Sequence, residues 1–251
     1  MMINSLCCGL QTVAVALWTL VATILFGLAA ICASFFSHTG NFPHLIGRLW
    51  ANSILWVTRA RITVTGIEKL DLNRSYIYMP NHQSNADIPL LLGQLPVQFR
   101  WLAKAELFKI PIFGQAMRGV GYISIDRSNR KAAFESLARA AATIRGGTSV
   151  LIFPEGTRSP DGELLPFKKG GFVLAVDAGV PIVPIVIRGT RDMAPKGRFV
   201  IHRVPVSMEI LDPVETAGHT RKTKDALLEQ VRGLLQTRLD AGARKDADAP
   251  C

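Results

Sequence analysis

Charge is missing from the beginning of this chain: no Lys, Arg, Asp or Glu precedes Arg48. Residues 6–36 are almost wholly apolar, with Leu10, Leu17, Leu20, Ile24, Leu28 and Phe35 spaced along them. As one helix this run would be roughly 45 Å long, against a hydrocarbon core of about 30 Å. The expectation is a tilted span, or a helix broken near Gly27 that re-enters one leaflet. The missing basic n-region argues against a cleaved signal peptide. Arg48, Arg59 and Arg61 follow the run and place the downstream chain on the cytoplasmic face of a plasma- or inner-membrane type of bilayer. Residues 43–59, with Trp50 and Trp56 among apolar neighbours, read as a second, interfacial helix.

Other absences narrow the chemistry. The cysteines are Cys7, Cys8, Cys32 and Cys251, which make neither a disulfide framework nor a metal-ligand spacing. His38, His44, His202 and His219 are scattered in the same way, so no metal is expected. No Gly-x-Gly-x-x-Gly follows a strand and no Walker-type loop exists, so no nucleotide cofactor is expected either. Acidic residues are outnumbered, 19 against 29 basic ones, for a net charge of +10. That surplus suits anionic lipid surfaces or phosphorylated substrates. Nucleic acid would rest on the charge alone and is not expected as a partner.

The rest of the chain has the makings of one domain. Of its 251 residues, 49% are hydrophobic, enough for a large core beyond the N-terminal run. The organisation read from composition is a membrane-anchoring segment over residues 1–60, a main domain over 61–240 and a polar tail over 241–251. Short β-branched runs at 61–65, 76–79, 99–103, 121–125, 149–153 and 181–186 alternate with helical patterns. The helical pattern is clearest at 130–145, where Phe134, Leu137, Ala138, Ala141 and Ile144 share a face before Gly146 and Gly147 stop it. Further helices are expected at 170–178 and 222–239, with one or two edge strands within 199–210. This alternation predicts an α/β fold, a mixed central sheet flanked by helices and preceded by an apolar membrane helix or two-helix anchor.

The densest chemistry lies at Asn81-His82-Gln83-Ser84-Asn85-Ala86-Asp87, after an apolar strand closed by Pro80. On one helix, residues five apart diverge by about 140°. His82 and Asp87 meet only if the histidine sits in the turn before a helix and the aspartate in its first turn. A carboxylate then fixes the imidazole tautomer and makes a general base for a hydroxyl. The same letters have a structural reading, a capping box with Ser84 as N-cap and Asp87 at N3. A second constellation, Phe153-Pro154-Glu155-Gly156-Thr157-Arg158-Ser159, follows a buried strand. There a glycine turn presents N–H groups, and Arg158 has a planar fork suited to phosphate; a plain solvent turn is the alternative. Lys104, Glu106, Arg118 and Arg127 gather around Gly121 and are either further anion contacts or ordinary surface charges.

Taken in order, Asn81-His82-x4-Asp87, residues 121–127, Phe153-Pro154-Glu155-Gly156-Thr157-Arg158 and Val180-Pro181-Ile182-Val183-Pro184 resemble the four-block pattern of the glycerolipid acyltransferases. More specifically, they resemble the 1-acyl-sn-glycerol-3-phosphate acyltransferases, over about residues 60 to 215. The resemblance implies acyl transfer from acyl-CoA or acyl carrier protein to the sn-2 hydroxyl of a lysophospholipid, giving phosphatidic acid in phospholipid biosynthesis. It implies His82 as general base and Asp87 as the residue that orients it. It implies Glu155, Gly156, Thr157 and Arg158 as the glycerol-phosphate-binding turn, with Lys104 and Arg127 as further phosphate contacts. It links the fourth block to the acyl donor or to site architecture. Membrane lipids, the acceptor and the thioester donor are the partners it implies. The alternative is an acyltransferase for another lysolipid, such as a lyso-ornithine lipid. A non-catalytic lipid-binding protein would need neither His82 nor Asp87.

Overall fold

The most apolar runs form the middle of the sheet. The computed structural model describes residues 2–37, 39–126 and 128–247. Its strands are β1 (Arg61–Thr65), β2 (Ile77–Pro80), β3 (Phe99–Lys104), β4 (Ile123–Ile125), β5 (Ser149–Leu151), β6 (Ile182–Arg188) and β7 (Pro205–Ile210). They form one 7-stranded sheet in the order β1-β7-β6-β2-β5-β3-β4. Only β6 and β7 pair antiparallel; the other neighbours are parallel. Every residue of β2 and β5 is buried, as strands covered on both faces require.

The helices are α1 (Met2–Ser34), α2 (Asn41–Thr58), α3 (Asp87–Gln94), α4 (Phe113–Gly119), α5 (Arg130–Arg145), α6 (Gly170–Ala178), α7 (Thr190–Met193) and α8 (Lys224–Ala247). Side chains alternate across the sheet with a period of two. Ile77, Met79, Val150 and Val186 point to one face, under Ala140 and Ile144 of α5, Phe172 of α6 and Val231 of α8. Tyr76, Tyr78, Leu151, Val183 and Ile185 point to the other, with Leu90 and Leu91 of α3 and Ala51 of α2. The mixed sheet flanked by helices is as the sequence predicts.

Three expectations change. The segment at 199–210 yields one strand, β7, and it lies inside the sheet between β6 and β1; the edges are β1 and β4. Strand order depends on distant pairings that local pattern does not encode. Helix α1 runs unbroken through Gly27. That glycine makes room for a neighbour, because a Cβ there would sit 2.7 Å from Cγ2 of Ile112. Helix α8 continues to Ala247, through much of the stretch read as a tail.

Helices α1 and α2 form an antiparallel pair. Gln11 Nε2 donates to the Thr58 carbonyl at 2.8 Å, Trp18 Nε1 to Ser53 Oγ at 3.1 Å and Trp50 Nε1 to Thr23 Oγ1 at 3.1 Å. Helix α1 also touches the main domain near both of its ends. The Ile201 N–H donates to Thr12 Oγ1 at 2.9 Å, and a Cβ on Gly119 would meet Ser34 at 2.7 Å. The loop between α1 and α2 is pinned by Arg100, only 2% exposed, whose Nη2 donates to the Thr39 carbonyl at 2.8 Å and Asn41 Oδ1 at 2.7 Å. Away from these contacts Leu10, Leu17, Leu20, Leu25, Phe36 and Trp56 stay exposed. Gly9–Ser34 is long and apolar enough to cross a membrane.

Candidate active site

Strands β2, β5, β3, β4 and β6 run parallel, so their carboxyl ends share one edge. Open α/β sheets place ligands at that edge. Asn81 leaves the end of β2 and fixes the departure of the chain: its Nδ2 donates to the Ile187 carbonyl at 3.0 Å and its Oδ1 accepts from the Ile187 N–H at 2.7 Å. His82 follows in the turn, and Asp87 is the first residue of α3.

The two side chains meet. His82 Nδ1 lies 2.7 Å from Asp87 Oδ2. The same oxygen accepts the N–H groups of Gln83 at 2.8 Å and Ser84 at 2.9 Å. Ser84 Oγ in turn accepts from the Ala86 N–H at 3.1 Å and donates to the Ala194 carbonyl at 2.7 Å. Helix α3 thus starts at Asp87 behind Ala86 with no side-chain cap bond, so the expected capping box with Asp87 at N3 does not form; the carboxylate instead closes the turn before the helix and holds the histidine. Asp87 is fully buried at 0% side-chain exposure, while His82 is 13% exposed, so the imidazole is the member of the pair that faces outward. With Nδ1–H donating to Asp87, Nε2 is left to take a proton. Nε2 makes no hydrogen bond among the described residues.

Residues 153–159 hold His82 on three sides. The Phe153 ring stacks on the imidazole at 3.7 Å and 14°, and Trp101 stacks behind Phe153 at 5.5 Å. The His82 N–H donates to Glu155 Oε1 at 2.7 Å, and the His82 carbonyl accepts from the Ser159 N–H at 2.8 Å. The other oxygen of Glu155, Oε2, accepts the Leu165 N–H at 3.0 Å. Both carboxylate oxygens of Glu155 thus point inward to backbone donors, a departure from the expectation that it contacts the acceptor phosphate. Burial pushes the Glu155 carboxyl up to about 7, against the pull of those two N–H bonds. Between the two clamps on His82, Gly156 adopts φ 76°, the left-handed region open to glycine, and turns the chain outward. Thr157 is exposed and Arg158 half-buried beside it. The Arg158 guanidinium makes no hydrogen bond or ion pair among the described residues.

Lys104 ends β3 on the same edge, with its ammonium 3.3 Å from Glu106 Oε1, and it does not touch the His82–Asp87 pair. Arg127 lies outside the described residues. Lys196 joins the site without any sequence signal: it follows α7, and its Nζ donates to the Arg158 carbonyl at 2.7 Å. The stacking of Phe153 on His82 was equally silent, since an aromatic at a strand end has ordinary core uses.

A buried carboxylate, a histidine with one open nitrogen and an adjacent glycine turn with an arginine whose guanidinium has no partner among the described residues make an arrangement able to take a proton from a hydroxyl beside an anion. A family model described as Acyltransferase matches residues 61–188, which carry both the pair and the turn. The 1-acyl-sn-glycerol-3-phosphate acyltransferase of Limnanthes douglasii is 34% identical over 207 residues, 82% of this chain and 72% of that protein. The alpha form from Homo sapiens is 35% identical over 191 residues, 76% of this chain and 68% of its own. The crystal structure of PlsC, the 1-acyl-sn-glycerophosphate (LPA) acyltransferase from Thermotoga maritima, matches with a TM-score of 0.80 and 27% identity, covering 98% of this chain and 99% of that one. The chain belongs to the acyltransferase family, among its 1-acyl-sn-glycerol-3-phosphate acyltransferases.

Proposed function

We propose that this enzyme moves a fatty acyl group from a soluble thioester, acyl-CoA or acyl carrier protein, to the sn-2 hydroxyl of 1-acyl-glycerol-3-phosphate, giving phosphatidic acid. The observation that carries this reading is the 2.7 Å contact between His82 and the buried Asp87, set beside the 153–159 turn. His82 Nε2 takes the proton of the acceptor hydroxyl as its oxygen attacks the thioester carbonyl. Asp87 stabilises the imidazolium that forms. When the tetrahedral intermediate collapses, the C–S bond breaks and the thiolate leaves with the proton returned by His82. Arg158, with the N–H groups of Thr157 and Arg158 beside it, serves the acceptor's phosphate, and Lys104 and Arg127 extend that positive edge.

The same proposal includes a monotopic seat in the membrane, with the catalytic domain on the cytoplasmic face. From Thr12 to Ser34 helix α1 covers roughly 33 Å, and the domain touches it near both limits. A helix held so cannot cross a bilayer while the domain stays on one side. It fits a position along the interface, exposed apolar face inward. Arg48, Arg59 and Arg61 suit the anionic surface of a cytoplasmic leaflet.

Arg158 gives the test. Lysine keeps the charge and loses the planar fork, so Arg158→Lys should be impaired and Arg158→Ala more so. A lost hydrogen bond to a charged group is worth about 1.5–3 kcal/mol, roughly ten- to a hundred-fold in kcat/KM. The loss should fall on the phosphate-bearing lysolipid and spare slow transfer to an acceptor without phosphate, assayed with each donor in turn. Equal losses for both acceptors, with a lowered melting temperature, would make Arg158 a turn-stabilising residue and remove the phosphorylated acceptor.

A further inference from the structure

Beyond the catalytic edge, the outer side of β4 borders a cavity of about 530 Å³. Phe108 and Lys109 contribute from the segment after β3, Arg118 from α4 and Arg139 and Thr143 from α5. Three cations line it and no carboxylate does. None of the three is in an ion pair among the described residues. Both arginines are held in place by neutral acceptors. Arg118 Nη2 donates to the Phe108 carbonyl at 2.7 Å, and its guanidinium lies 6.0 Å from the centre of the Phe108 ring. Arg139 Nη2 donates to Ser136 Oγ at 2.8 Å. A guanidinium has five N–H donors, so each arginine retains several for an anion. Asp126 is the carboxylate that feels Lys109, but it stands outside the lining and forms no ion pair among the described residues; its Oδ1 accepts from Ser128 Oγ at 2.6 Å and the Ser128 N–H at 2.9 Å.

The cavity's neighbours are as telling as its lining. Gly119, beside Arg118, packs on Ser34 at the end of α1. The next residues, Phe35 and Phe36, are 76% and 88% exposed. Leu107 and Ile110, which flank Phe108 and Lys109, are exposed as well. Three cations outside any ion pair among the described residues, gathered at the margin of an apolar surface, suit the phosphate of an amphiphile whose tails enter that surface.

We propose that this cavity, whose lining includes neither the His82–Asp87 pair nor residues 155–158, is a second phosphate site that holds the headgroup phosphate of an anionic membrane lipid. A soluble phosphate such as that of coenzyme A shares the chemistry, so the test has an arm for each, and it reads binding rather than acyl transfer. The full chain in neutral detergent is titrated with dihexanoyl phosphatidylglycerol, dihexanoyl phosphatidylcholine or free coenzyme A while its melting temperature is followed. Phosphatidylglycerol should raise the midpoint by about 2 °C or more, and phosphatidylcholine by much less. Lys109→Gln/Arg139→Gln should lose most of the rise, whereas Lys222→Gln/Arg232→Gln, just before and within α8 and outside the cavity lining, should keep it. Since Arg139 also bonds Ser136, Lys109→Gln alone is the second variant and should roughly halve the response. A rise with coenzyme A and none with the lipid overturns the lipid source. Equal rises in wild type and both cavity variants, or none with any phosphate compound, overturn the site.

Discussion

Asp87 shows how one side chain carries two duties. Its Oδ2 receives two backbone N–H groups and the imidazole at once. Replacing His82 with Ala removes the base and should lower turnover at least ~10²-fold in a protein that remains folded. Asp87→Asn should be severe too, since an amide does not stabilise imidazolium and is a weaker acceptor for Gln83 and Ser84; near-normal turnover in either variant would end the mechanism. Glu155 behaves differently. Its carboxyl is raised from 4.5 to about 7, mainly by burial, so the folded state holds the proton more tightly than the unfolded chain. Stability then falls as pH rises from about 4.5 to about 7, by about 3 kcal/mol at full extent. The clamp on the His82 N–H, in contrast, is strongest when Glu155 is ionised. Glu155→Gln should flatten the dependence of melting temperature on pH over that window and lower kcat about tenfold with little change in KM, because the amide has one acceptor for two N–H groups. A variant with the wild-type pH slope would show that Glu155 does not titrate there. The His82–Asp87 pair was legible because its members are five residues apart and the strand–turn–helix around them is local. The inward role of Glu155 was not, because the N–H groups it holds belong to His82 and Leu165, on other segments.

At the scale of elements, pattern was most informative where one helix or strand settles its own fate. Helix α5 begins where Asn129 Oδ1 accepts the Ala132 N–H at 3.1 Å and ends before Gly146 and Gly147, as its periodicity and glycines indicate. The interior place of β7 was not legible, because β1 covers it from the far end of the domain. Nor was the unbroken α1, since Gly27 looks like a hinge until Ile112 is seen against it. Ile112 itself has φ 62°, in a tight turn with the Phe113 N–H donating to the Pro111 carbonyl at 2.6 Å. A β-branched residue in that region is strained, and it is held there between the anchor and α4. Deleting residues 1–40 would uncover Trp50 and Ile112 and strip Arg100 of the Thr39 carbonyl. The truncated protein should aggregate, or leave the membrane with a lower melting temperature, as seen by sedimentation and thermal scans. A soluble, monodisperse and fully active truncation would show that α1 is not integral to the domain.

The whole molecule joins an apolar side, a basic surface and a reactive edge. Its net charge of +10 suits anionic membranes, and the exposed faces of α1 and α2 suit the apolar contact of the proposed seat. Composition announced both properties, but it did not reveal that α1 lies against the domain from Thr12 to Ser34. That arrangement has a mechanical consequence. A body that enters only one leaflet takes up area there and none in the other, and so acts as a wedge. Lipid already splayed by curvature admits a wedge at lower cost than flat lipid. The enzyme should therefore partition more strongly to small sonicated vesicles than to large extruded ones of the same composition, per unit of outer-leaflet lipid. Equal partition in a flotation assay would mean that the α1–α2 pair does not enter the leaflet deeply enough to spread it.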